Sequence, residues 1–375
     1  MQTNFRFPNI FKMPSDNVIV LASAGSGKTT DIVNQACANG GRTALVTYTI
    51  NGRNELLDKA YESRGAVPPH VAMLTWYTFV LTHLIRPYQN HLYEPRIIGI
   101  NFNQMPDHAR RIAKNRVDQF FFSSRGRLWR DRTTDFACRL IDKTGGLPIK
   151  RLEKIFQHLY IDEAQDLSGW DLELMEHLLK STIKVTLVGD HRQATFSTNN
   201  NPKNKAYWGE KIIDKFEEWK NVGLADISHK AESQRCVQAI CDFADKFFPK
   251  CQPTTSRNAT VTDHDGVVLL RERDVKRYWD RFAPQPLRYD ARTTVQYGAP
   301  LNFGESKGMT FERTLIYPTG GLRKYVKSGN LPDAGKSLAK IYVAVTRAKQ
   351  SVAIVVPDSF NGGHLPIFEF PKENS

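Results

Sequence analysis

Cysteine is scarce and scattered: Cys37, Cys138, Cys236, Cys241 and Cys251 are odd in number and form no C-x-x-C pair. That spacing excludes a disulfide framework, gives no zinc site and predicts reduced thiols in the core. Long apolar runs are missing too. Met1 to Pro14 holds no seven-residue apolar stretch, and nothing approaches the roughly 18 uninterrupted apolar residues of a membrane span. Neither a leader nor a membrane partner is expected, and the cytoplasm is the expected location. Tandem repeats and low-complexity tracts are absent.

Acidic residues are outnumbered, 39 against 52 Lys plus Arg, for a formal net charge of +13. A surplus of this sign favours a polyanionic partner, nucleic acid before membrane, although a well-solvated basic surface explains charge alone. With 375 residues and 41% apolar content, the chain is long enough to bury two cores of ordinary size.

Strand-like runs recur at Val18 to Leu21, Arg42 to Thr47, Val71 to Thr75, Leu159 to Ile161, Lys184 to Val188, Val267 to Leu270, Thr314 to Tyr317 and Ser351 to Val356. Helical periodicity lies between many of them. One apolar face follows Ser168 as a cap and another runs from Ser233. Alternation of this kind predicts an α/β protein whose parallel sheets are covered on both faces. A break near Asn221 to Asp226 divides residues 1–225 from 226–375. Residues 86–135 interrupt the first part with ten Arg or Lys against five acids, which predicts a small basic, mainly helical insertion.

The segment Ala24-Gly25-Ser26-Gly27-Lys28-Thr29-Thr30 follows the first apolar run directly. Its glycines let successive backbone N–H groups converge on phosphate oxygens, and the new helix directs its positive end at them. Lys28 is placed to neutralise β- and γ-phosphates, and Thr29 to bind Mg2+. Ala22 stands where the motif usually has its first glycine, and a Gly-Lys-Thr string also arises by chance, so the downstream partners decide. Leu159 to Asp166 reads as a buried strand ending in two carboxylates. There Asp162 would hold Mg2+ through water and Glu163 would polarise the attacking water; alone, the pair reads as well as a helix cap. Gln193, at the end of the next strand, is placed to sense a γ-phosphate. Arg235 and Arg347 are placed to reach that phosphate across a cleft.

In their order these segments resemble the motifs of superfamily 1 helicases of the UvrD/Rep type, from about Val18 to Val356. Ala24 to Thr30 is similar to motif I and Thr47 to Asn51 to motif Ia, with Leu74 to Phe79 as the following DNA-contact motif. Asp162 to Asp166 resembles motif II, Gly189 to Gln193 motif III, and Ser233 to Arg235 the start of motif IV. Ser306 to Phe311 and Tyr342 to Lys349 resemble motifs V and VI. The resemblance implies two RecA-like cores, ATP hydrolysis with Mg2+ between them, and tracking along single-stranded or tailed duplex DNA, usually 3′ to 5′, with RNA left open. Tyr48, Thr75, Trp76, Phe79, Phe196 and Lys307 are the implied strand contacts, and Arg125 to Arg132 a basic guide. Core packing is the competing reading for Trp76 and Phe79.

Departures accompany the matches. No adenine-reading glutamine motif stands in Met1 to Asp16, and Thr30 and Gln234 replace the pair that stacks the base, which predicts loose base selectivity. Thr198 stands where relatives carry a stacking Trp, Gly304 for the usual His and Thr310 for the usual Glu. About 70 residues separate Arg235 from Lys307, too few for the family's large regulatory insertion. A compact motor is expected. The alternative is a nucleic-acid-stimulated NTPase switch that gates a partner nuclease, resembling the helicase components of bacterial anti-phage systems. A non-catalytic DNA-binding module is the third reading, against which all the motif residues stand.

Overall fold

Strands rich in β-branched and apolar residues, buried on both faces, pair best side by side beneath helices. In the computed structural model, which describes residues 16–123, 126–198 and 201–370, six of them form one parallel sheet. Its order is Val71–Thr75, Thr43–Thr47, His158–Ile161, Lys184–Gly189, Val18–Ala22 and Asp226–Lys230. Alternate strand residues face opposite ways. Leu45, Tyr160 and Val188 pack against the helices Lys28–Ala38 and Ile50–Arg64. Val46, Ile161 and Leu187 pack against Thr133–Lys143, Trp170–Leu179 and Ile212–Asn221.

Five further strands make a second parallel sheet in the order Gly266–Arg271, Ala348–Val356, Phe311–Tyr317, Gln285–Arg288 and Leu301–Asn302. The helices Gln238–Asp245, Gly320–Ser328 and Leu338–Val345 cover one face, and Val275–Phe282 the other. Between Arg235 and Lys307 the chain is thus occupied in building this sheet. The expected α/β architecture of two parallel-sheet cores is what the chain adopts.

Several local expectations give way. The strand Asp226–Lys230, assigned by the break at Asn221 to Asp226 to the second part, pairs with Val18–Ala22 and completes the first sheet. Its sequence is polar because it is an edge strand, half open to water. The insertion is mostly irregular rather than helical. It holds the short helices Asp107–Arg110 and Val117–Phe121 and a strand pair, Gly99–Asn101 with Arg127–Trp129. Its Phe120, Phe121 and Phe122 are buried in the first core's apolar cluster. Arg132 is no guide for a strand: it is buried, stacks on Phe120 and donates to the carbonyls of Phe120 and Ala109. Arg125 lies outside the described residues. Gly169, not Ser168, precedes the helix Trp170–Leu179, and the Ser168 hydroxyl meets that of Thr198 at 2.8 Å. The helix expected from Ser233 begins at Gln238, because Ser233 is held in the two-residue strand Glu232–Ser233.

Behind the second sheet, His264 Nε2 lies 2.6 Å from the Tyr278 hydroxyl and 3.2 Å from Ser351 Oγ, with Arg313 donating to its carbonyl. Burial, and then the Arg313 charge, push the imidazole down to about 4. A histidine held neutral in the fold contributes stability that is present above its unfolded value near 6.5 and is lost as pH falls toward 4. Urea unfolding of the wild type should therefore lose on the order of 2 kcal/mol across that window, discounted for partial exposure. His264→Gln should flatten the slope there.

Candidate nucleotide cleft and strand groove

The first sheet delivers its motifs to one edge. Strand Val18–Ala22 runs into a loop that reaches the helix Lys28–Ala38 through Gly25 and Gly27, at φ 74° and 78°. Both positions are left-handed, where a side chain is strained. Gly25 is under a second constraint. A Cβ there would lie 2.6 Å from Arg235 Cβ and 2.9 Å from Ser233 Oγ, and its carbonyl accepts from Gln234 N at 2.8 Å. The phosphate loop therefore touches the second core directly, and Ala24 packs into that core's apolar cluster.

A cleft of about 340 Å³ opens at this seam, lined from the first core by Gly25 to Thr30, Glu163 and Gln193 and from the second by Gln234, Arg235 and Arg347. Lys28 Nζ lies 2.9 Å from Glu163 Oε1, and the Thr29 hydroxyl donates to Asp162 Oδ2 at 2.9 Å. Glu163 has φ 57°, a conformation rare outside glycine, and also faces Lys307 Nζ at 3.1 Å. Burial alone would raise its carboxyl, but Lys28 and Lys307 hold it well below the usual carboxylate range. Burial raises Asp162 against the pull of Lys28.

From the second core, Arg347 Nη2 donates to Gln193 Oε1 at 3.0 Å, and Arg235 Nη1 to the Thr346 carbonyl at 3.0 Å. Among the described residues neither guanidinium has a carboxylate within ion-pairing distance. Burial lowers both below the ordinary arginine value, and for Arg347 the like charge of Arg235 adds to it. Two cations without an ion-pair partner beside Lys28, Arg347 buried and Arg235 partly so, suit an anion site, with Glu55 and Glu163 acting on them only at longer range. The Ser26 hydroxyl, buried in the loop without a partner, is an orphaned donor in the same place.

The structure thus brings together Ala24 to Thr30, Asp162, Glu163, Gln193, Arg235 and Arg347 around one seam. Lys307, expected on the strand, belongs here too: it bonds both oxygens of Asp166, at 3.0 and 2.7 Å, besides Glu163. Gln165 was not singled out by sequence. Its Nε2 donates to Glu163 and its Oε1 accepts from Asp190 N at 3.0 Å, and a Cβ on Gly189 would lie 2.3 Å from that oxygen. The Gly-Asp step after an apolar strand was its signal.

The expected strand contacts divide. Trp76 and Phe79 are wholly buried and stack on one another, and Trp76 Nε1 donates to Asp171 at 3.0 Å, so both are core residues and not platforms. Thr198 donates to the same carboxylate at 2.5 Å. Tyr48 is mostly buried, yet with Thr75 it lines a groove of about 730 Å³. Ile50, Arg53 and Phe102 line the same groove, with Ile50 and Phe102 69% and 57% exposed. Phe196 is 54% exposed. Phe102 comes from the insertion and stands edge-on to Tyr77 at 5.2 Å.

Residues 100–202 match the UvrD/REP helicase N-terminal domain family, a stretch that contains Asp162, Glu163 and Gln193. The matched stretch lies within the part of the chain that builds the first parallel-sheet core and its insertion. Solved structures similar to it include the PRRSV helicase, with 16% identity and TM-score 0.46 over 95% of this chain and 56% of that one. Arterivirus nonstructural protein 10 (helicase) is similar at 13% identity and TM-score 0.49 in complex with DNA, over 92% of this chain and 62% of that one. Without DNA the values are 15% and 0.47, over 92% and 61%. The chain therefore spans between 56% and 62% of the length of these proteins. No curated protein matches the sequence. No helix among the described residues is long and apolar enough to cross a membrane.

Burial makes a direct prediction for Trp76. Trp76→Ala should cost about 3–5 kcal/mol of unfolding free energy by urea titration, and Phe196→Ala less than about 0.5 kcal/mol.

Proposed function

We propose that the chain is a motor NTPase that hydrolyses ATP with Mg2+ between two RecA-like cores, the first extending through the strand Asp226–Lys230, and tracks 3′ to 5′ along single-stranded or tailed duplex DNA in the cytoplasm. The observation that carries this reading is the pair of guanidiniums, Arg347 buried and Arg235 partly so, set without an ion-paired carboxylate across the seam from Lys28. A triphosphate supplies the charge they lack. Lys28, the backbone N–H groups of Gly25 to Thr29 and the Ser26 hydroxyl would hold its phosphates. The Thr29 hydroxyl and Asp162 are hard oxygen donors that would hold Mg2+, and the ion would supply charge to neutralise the phosphates. Glu163 orients and polarises the attacking water, Gln193 senses the γ-phosphate, and the two arginines stabilise charge that grows in the transition state.

The groove beside Tyr48 and Thr75 offers an exposed aromatic, Phe102, an exposed Ile50 and a cation, Arg53, which together suit a single strand read by stacking and phosphate contact. Phe196 adds a second exposed ring. One observation favours the alternative, a strand-stimulated switch that gates a partner nuclease: the described residues between motifs IV and V go into the second core's strands and helices and the short pairing of Thr255–Ser256 with Glu232–Ser233, which leaves none for an additional domain there to regulate unwinding.

Lys28→Ala and Glu163→Gln should each reduce ATP turnover by at least about a hundredfold while melting stays near wild type; turnover retained in Glu163→Gln contradicts its role. Phe196→Ala should weaken single-strand binding by roughly 1–3 kcal/mol. Affinity for single strands should fall steeply between low and moderate salt in a fluorescence titration. Strand displacement on 3′-tailed but not 5′-tailed duplexes separates the motor from the switch, which would hydrolyse without displacing.

A further inference from the structure

Beneath the cleft a second set of charges crosses the seam without lining the cleft itself. Arg192 is buried, and its guanidinium reaches three polar partners across two cores. Nε donates to Asp190 Oδ1 at 2.9 Å, within its own turn. Nη1 donates to Asp245 Oδ1 at 3.0 Å, on the second-core helix Gln238–Asp245. Nη2 donates to Ser23 Oγ at 2.8 Å, at the entry to the phosphate loop. The face of Tyr342, from the helix Leu338–Val345, lies 4.8 Å from the guanidinium carbon.

Asp190 passes this arrangement to the cleft. Its Oδ2 accepts from Gln193 Nε2 at 3.0 Å and from the Tyr342 hydroxyl at 3.2 Å. Gln193 in turn accepts from Arg347. The turn from Asp190 to Gln193 is thereby tied to the second core along its length, by Tyr342 at Asp190, Asp245 at Arg192 and Arg347 at Gln193.

A buried ion pair is a poor way to glue two bodies, because desolvation cancels much of the attraction and an apolar pair would hold as well. What it supplies is a geometry with few alternatives. A guanidinium fork satisfied by Asp190, Asp245 and Ser23 together has one arrangement, and an ammonium cannot reproduce it. If the cores part, Asp245 leaves, the fork turns, and Asp190 no longer holds the Gln193 amide in register.

We infer that Arg192 is a positioning residue that ties the orientation of Gln193 to the closure of the second core through Asp245, so that hydrolysis is permitted only when the seam is shut. This rests on the reading of the cleft as a site of nucleotide hydrolysis. Arg192 does not touch the nucleotide, so its loss should appear in turnover and not in binding.

The test compares Arg192→Ala, Arg192→Lys, Asp245→Asn and the Arg192→Ala/Asp245→Asn double variant of the full chain with wild type. The readouts are affinity for a fluorescent ATP analogue, kcat, KM and melting temperature. Affinity and KM should stay within about threefold of wild type, while kcat falls about tenfold or more in Arg192→Ala and at least about threefold in Asp245→Asn. Arg192→Lys should recover little, and the double variant should be no worse than Arg192→Ala, because both changes cut one link. Unchanged kcat in the single variants overturns the inference, as does a loss confined to nucleotide affinity. A wild-type Asp245→Asn beside an inactive Arg192→Ala also overturns it, by confining Arg192 to the first core. If Arg192→Ala does not fold, the nearly isosteric Asp245→Asn decides alone. A wild-type protein that binds nucleotide but never hydrolyses it removes the reading of the cleft, and this inference with it, before any variant is made.

Discussion

Glu163 sits between two ammonium groups that belong to different cores, Lys28 at 2.9 Å and Lys307 at 3.1 Å. Its backbone is held at φ 57°, a conformation that costs a non-glycine residue on the order of 1–3 kcal/mol and persists only where the surroundings over-determine it. Here they do: Gln165 donates to one carboxylate oxygen, Lys28 and Lys307 bind from either side, and Asp162 accepts from the Glu163 N–H at 2.9 Å. The charges around this one residue set the character of the seam. A carboxylate shared across a cleft is strongly stabilised in its ionised form while the cleft is shut and loses a partner when it opens.

Everything that positions those charges follows from parallel sheets whose strands end at a common edge. In open α/β sheets that edge is where ligands gather. The loops after Val18–Ala22, His158–Ile161 and Lys184–Gly189 supply Lys28, Glu163 and Gln193 from neighbouring strands of one sheet. The second core meets them with Arg235, Lys307 and Arg347, carried by a loop beside its first helix, a loop before Phe311–Tyr317 and the turn after Leu338–Val345. Close backbone approach at Gly25 makes the seam tight enough for these groups to act on one another. The grooved face beside Tyr48 and Phe102 belongs to the first core, next to the strands Thr43–Thr47 and Val71–Thr75.

What could be read from the sequence were the parts governed by local chemistry. Mostly apolar runs marked eight strands, two of them ending at Asp162 and Gly189 on the edge that faces the cleft, because a strand buried on both faces leaves little other pattern. The edge strand Asp226–Lys230 was invisible for the opposite reason: half in water, it reads as a polar linker. Gln285–Arg288 hid because it is only four residues long and one of them is proline. An aromatic gives no local sign of whether it stacks on a base or fills a core, so Trp76 and Phe79 were separable from Phe102 and Phe196 only by burial. Arg132 and Lys307 carried the same ambiguity in charge. One brackets an insertion and the other closes a cleft, and neither role is written in the residues beside it.

The central claim is that one polyphosphate is gripped by both cores at once. The most direct measurement is a high-resolution structure of the Glu163→Gln protein with Mg2+ and a non-hydrolysable ATP analogue. The account predicts the terminal phosphate within hydrogen-bonding distance of Lys28, Gln193 and at least one of Arg235 and Arg347. A nucleotide bound by the first core alone, with both arginines still on the carbonyl and amide partners they have without it, would contradict the account.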